Sequence, residues 1–65
     1  MNYTSLKKEL QYELNDLLER RANLRGQTDV ASNFEYAKLT GEIIATYKAI
    51  IMIQDMEIEE LADRR

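Results

Sequence analysis

One interruption divides this chain. From Gly26 to Asn33 it reads GQTDVASN, the only stretch rich in turn-formers, and the rest contains no Pro and one further Gly, at position 41. Pro and Gly are the residues that most strongly stop a helix, Pro by a missing N–H and a clash, Gly by its backbone freedom. Two long uninterrupted segments therefore flank a short link. Two such helices joined this way pack antiparallel as an αα-hairpin. The expected fold is all-α, a single helical-hairpin domain over residues 1–65.

Before the link, Tyr3, Leu6, Leu10, Leu14, Leu17 and Leu24 recur at intervals of three, four and seven, with Leu18 and Ala22 beside them. That spacing draws one apolar stripe along a 3.6-residue helix. Thr4 or Ser5 suits the N-cap, where a hydroxyl accepts from a free N–H, and Gly26 suits a left-handed C-cap. The first helix is thus predicted over residues 5–25. Asp16 and Arg20 sit four apart on its polar side.

The loop is predicted over 26–32 and the second helix over 33–63. Ser32 followed by Glu35 matches a capping box, with Asp29 as a competing cap. Beyond it, Tyr36, Thr40, Ile43, Tyr47, Ile50, Gln54 and Leu61 form one heptad-spaced stripe, with Ala37, Ile44, Ile51 and Ile58 alongside. Tyr47 and Gln54 read as polar-tipped core residues that fix register. Arg64 and Arg65 close the segment against a helix C-terminal dipole. Folding about the loop brings Leu17 towards Ile43, Leu10 towards Ile50, and Lys7 and Lys8 towards Glu57, Glu59 and Glu60. Arg20, Arg21 and Arg25 approach Glu35 and Glu42.

Ala49 to Ile53 are five consecutive apolar residues, more than one stripe explains. Gly41, Ala45, Ala49, Met52 and Met56, with Ile53 at the flank, fall on a second face away from the first. A 65-residue chain without Cys or His has neither disulfides nor the commonest zinc ligands to reinforce a small core. The second face is therefore expected to be an oligomer interface, most simply a two-fold dimer making a four-helix bundle, or a higher helical oligomer. A different protein docking there is the alternative, which flexible Met side chains suit.

Catalytic chemistry is not legible. Without His or Cys the Ser-His-Asp and Cys-His arrangements are impossible, and the two isolated glycines make no phosphate-cradling loop. No cofactor or metal is expected. A net charge of −3 disfavours general nucleic-acid binding, and no apolar run approaches a membrane span. Met1 leads straight into a polar segment, so no signal peptide is expected and the location is expected to be cytoplasmic. Arg21 interrupts the first helix's stripe: its stem covers the core edge, or with Arg25, Tyr36 and Lys38 it forms an anion-binding pocket at the loop end.

Two resemblances are confined to short helix-forming runs. Leu14 to Gln27, LNDLLERRANLRGQ, resembles the first helix of all-helical chorismate mutases, which implies Arg21 or Arg25 clamping a dicarboxylate; the chain is short of that family's three helices. The ELN and NLR runs at Glu13–Asn15 and Asn23–Arg25 resemble a helical-hairpin protein of the bacterial ribosome, but that family is basic where this chain is acidic. The resulting expectation is a small non-enzymatic interaction or regulatory protein, an adaptor or inhibitor, acting as a homo-oligomer on another macromolecule. Its economy suits a phage or mobile element. The alternative is a binder that sequesters a small anionic ligand, such as a nucleotide, at a subunit junction.

Overall fold

A computed structural model describes residues 2–63. It contains two helices, α1 (Tyr3–Ala22) and α2 (Val30–Asp63), packed antiparallel as a hairpin. At about 1.5 Å per residue, α2 alone is about 51 Å long, and it sets the 55 × 15 × 14 Å dimensions of the molecule. The Arg64–Arg65 pair read as a C-terminal dipole partner lies outside the described residues.

Both helix starts lie earlier than the sequence suggests, for one reason. Asx side chains displace the hydroxyls as caps. Asn2 caps α1, its Oδ1 accepting from the Ser5 N–H at 3.1 Å. Asp29 caps α2, its Oδ2 accepting from the Ser32 N–H at 2.9 Å, so Ser32 lies inside the helix. A carboxylate or amide oxygen reaches the third N–H as well as a hydroxyl does. Hydrogen bonds from the Ser32 side chain and its backbone N–H hold the Asp29 carboxyl below its ordinary pKa. At the other end α1 tightens after Ala22 into i→i+3 turns, Leu24 N–H to Arg21 O and Arg25 N–H to Ala22 O. Gly26, at φ 85°, then takes the left-handed turn that a Cβ would strain.

The core is small. Leu14, Leu17, Leu39 and Ile43 are buried, with Leu18, Leu24 and Ile50 packed against them. Thr46 is also buried, its hydroxyl donating to the Glu42 carbonyl at 2.9 Å. The seam on α2 therefore follows Tyr36, Leu39, Ile43, Thr46, Ile50, Ile53, Glu57 and Glu60, all buried or half-buried. This corrects the expected stripe. Tyr36, Ile43 and Ile50 belong to the seam as predicted, but Leu39, Thr46 and Ile53 occupy the alternate heptad positions instead of Thr40, Tyr47 and Gln54. Tyr47 and Gln54 are exposed and fix nothing within the hairpin.

Polar residues of α1 select this frame. Lys7 and Arg21 both fall on the α1 seam and both need polar partners. Lys7 Nζ donates to Glu57 Oε1 at 2.8 Å, the approach expected from the antiparallel fold. Arg21 Nη1 donates to Thr40 Oγ1 at 3.1 Å, and its guanidinium lies 5.3 Å from the Tyr36 ring centroid. Arg21 thus turns to Thr40 and Tyr36, not to Glu35 or Glu42. Moving α2 round by one residue would place Ile58 where Lys7 needs an anion. Among the described residues no buried side-chain N or O lacks a partner.

Candidate functional site

The uncovered surface of α2 is the feature this fold leaves unexplained. Ile44, Tyr47, Ile51, Ile58 and Leu61 are each about half exposed or more, from 48% at Tyr47 to 63% at Ile58. Each follows a seam residue by one: Ile43 and Ile44, Thr46 and Tyr47, Ile50 and Ile51, Glu57 and Ile58, Glu60 and Leu61. Gln54, after Ile53, fills the remaining position. One residue is about 100° of helix rotation. The second stripe is therefore a heptad seam of its own, about 100° from the first, and among the described residues nothing covers it.

In an antiparallel hairpin of right-handed helices, the faces one residue after each seam lie on the same broad side. On α1 that face carries Thr4, Lys8, Gln11, Asn15, Leu18 and Ala22, with Lys8 its single charge. The opposite broad side carries Glu9, Glu13, Asp16 and Arg20 from α1, and Glu35, Lys38 and Glu59 from α2. Asp16 and Arg20 make an exposed ion pair at 3.6 Å there. One broad side of the hairpin is thus nearly free of charge, and the other is solvated by it.

The residues expected to form an oligomer interface divide. Ile53 is half-buried in the seam frame, and Ala49 is half-buried beside Ile50 at its edge. Ala45, Met52 and Met56 are exposed on the charged side, whereas Gly41 is exposed on the back of α2, directly away from α1, in heptad register with Lys48 and Asp55. Phe34, 73% exposed, lies one heptad before Gly41 on that outer face. The run Ala49–Ile53 is resolved by these faces: Ile50 and Ile53 face α1, Ile51 lies on the uncovered stripe, and Met52 faces outwards on the charged side. Reading the seam as one wide stripe concealed that Ile44, Ile51 and Ile58 form a second heptad. The duplicate frame, offset by one residue, is the signal that distinguishes them.

The residues read as an anion pocket also divide. A shallow concavity of about 290 Å³ at the loop end is lined by Leu24, Arg25, Gly26, Gln27, Asn33 and Tyr36. It brings together Arg25 and Tyr36. Arg21 is engaged by Thr40 and the Tyr36 ring, and Lys38 is exposed outside the lining. Arg25 is the one charged residue in that lining. Among the described residues no group of three or more acidic side chains is placed to hold a metal ion, and no helix is long and apolar enough to cross a membrane.

Compared with protein families, curated proteins and solved structures, the chain matches none.

Proposed function

We propose that this protein is a small non-enzymatic interaction protein that works as a homo-oligomer and binds another macromolecule. The observation that carries the reading is the second heptad stripe, Ile44 to Leu61, uncovered along α2. Its support is quantitative. The hairpin exposes 5127 Å², whereas a compact monomer of this mass exposes about 4,300 Å². Four buried aliphatic side chains also make a thin core for an independent domain. A second copy over the stripe supplies the missing burial. The opposite side, with Met52 and Met56 among charges, remains for a different partner, and flexible thioethers suit a surface that adapts to one.

Sedimentation equilibrium at micromolar concentration tests the self-association. The wild-type chain is expected to be a dimer, Ile51→Lys a monomer, and Met52→Lys a dimer still. A folded wild-type monomer refutes the reading, and a dimeric Ile51→Lys refutes the surface. The engagement of Arg21 by Thr40 and Tyr36 weighs against a pocket that sequesters an anion.

A further inference from the structure

We infer that the second copy packs antiparallel, α2 on α2 and α1 on α1, about a two-fold axis that crosses α2 between Ile51 and Gln54. This deepens the proposed self-association and rests on it. Three observations lead to it.

The first is the match of surfaces across the nearly uncharged broad side. The apolar stripe runs from Ile44 to Leu61, so its midpoint lies between Ile51 and Gln54. A two-fold axis there sets Ile44 against Leu61 of the second copy, Tyr47 against Ile58, and Ile51 against Gln54. The same operation lays the α1 face from Thr4 to Ala22, polar with Lys8 its one charge, against its own copy. A two-fold axis parallel to the helices can instead set each α2 stripe on the other copy's α1. That arrangement buries isoleucines against Thr4, Gln11 and Asn15, pairing unlike surfaces on both contacts.

The second is charge. Lys48 and Asp55 are exposed, one heptad apart, along the outer edge of the stripe, and neither makes an ion pair among the described residues. Antiparallel pairing about this axis brings Lys48 of each copy beside Asp55 of the other, twice. A parallel α2 pair instead sets that edge against the edge already occupied by α1.

The third is area. Half-exposed Ile, Leu and Tyr side chains leave roughly 100 Å² each, so five of them in two copies bury about 1,000 Å² before the α1 contact is added. That meets the lower bound for a specific interface.

The orientation is read by a distance. Gly41 is exposed, and a Cβ built there meets nothing within 4 Å, so a nitroxide on Gly41→Cys is tolerated. The chain has no Cys of its own. About this axis the two Gly41 positions lie about 35 Å apart along the helices; in either parallel α2 arrangement they lie within about 15 Å. Pulsed electron spin resonance on the dimer is expected to give the long distance. Lys48→Asp and Asp55→Lys are each expected to weaken the dimer about tenfold, and the double reversal to restore it. A dimer with the short distance, or one indifferent to both reversals, overturns the antiparallel arrangement and leaves self-association standing. A monomer at these concentrations overturns both.

Discussion

Ile43 and Ile44 are adjacent, identical in chemistry, and assigned here to different faces. Replacing each with Ala tests that assignment. The substitution removes three carbon groups, worth about 2.4 kcal/mol in full transfer at about 0.8 kcal/mol each. Ile43 is 4% exposed, so nearly all of that is lost and the residual cavity adds to it, for a cost of about 3 kcal/mol. Ile44 is 50% exposed, so the hairpin alone loses about 1.2 kcal/mol. Against a total stability of about 5 kcal/mol for a small domain, the first change brings the fold near its limit and the second does not.

Urea unfolding followed by circular dichroism, over a wide series of protein concentrations, separates the two. The Ile43→Ala loss is expected to persist under dilution. The Ile44→Ala loss is expected to exceed its intrachain value only where dimers form and to shrink towards it on dilution. Equal losses at every concentration, or a larger loss at Ile44 in dilute solution, would refute the frame that places Ile43 on the seam.

Four further outcomes follow from the same geometry. A double-mutant cycle on Lys7 and Glu57, side chains about a third exposed, is expected to give a coupling of about 0.5–1 kcal/mol that falls at high salt. Arg21→Ala is expected to cost about 1–2 kcal/mol through the lost Thr40 hydrogen bond and Tyr36 ring contact, while nucleotides leave the wild-type melting temperature unchanged. The folded pKa of Asp29 lies below its ordinary 3.8, so its contribution is complete above that value and is lost as pH falls through the lower one; Asp29→Asn keeps a cap that does not titrate, and melting curves across the acid range should show a shallower decline for it. Gly26→Ala is expected to destabilise by about 1 kcal/mol because of its positive φ, whereas Gly41→Ala, in open helical space, should stabilise by about 0.5–1 kcal/mol and leave the dimer intact. A dimer lost on Gly41→Ala would return the interface to the small-residue face.

The hairpin was legible because helix breakers are absent everywhere but Gly26–Asn33, and because α1 carries one unambiguous stripe. Its Leu14 and Leu17 are the buried core that their spacing indicates. The seam of α2 was harder, since Tyr36, Ile43 and Ile50 are compatible with more than one heptad frame. Periodicity alone treats Leu39 with Thr46 and Thr40 with Tyr47 as nearly equivalent choices. What separates them is complementarity across the hairpin, which needs Glu57 opposite Lys7 and the Tyr36 ring beside Arg21. The caps differ for a local reason: Asn2 precedes the Thr4 and Ser5 hydroxyls by two and three residues, Asp29, the competing cap, precedes Ser32 by three, and side-chain reach, not periodicity, decides between them. The loop-end cluster divided because Arg21 turns to the Thr40 hydroxyl and the Tyr36 ring within the fold.

The overlap of frames also explains why Lys7 and Arg21 belong on an otherwise leucine-rich seam. If α1 presented only aliphatic residues, α2 could offer it either the Ile43 stripe or the Ile44 stripe, two packings differing by about 100° of rotation and little in apolar content. Polar residues in a seam cost stability relative to aliphatic packing but discriminate between registers, as they do in coiled coils. Here Lys7 and Arg21 penalise the frame that would bury Ile58 and leave Glu57 outside. By holding the Ile43 stripe against α1, they leave the Ile44 stripe free. In the proposed assembly that freedom is the basis of association: one helix with two heptad seams, about 100° apart, meets two neighbours at the corner of a four-helix bundle. A Lys7→Leu, Arg21→Leu double variant is therefore expected to keep its helicity and lose its single packing, showing two sets of amide resonances or broadened ones where the wild type shows one. A single sharp set with the dimer unchanged would show that the aliphatic residues select the frame without them.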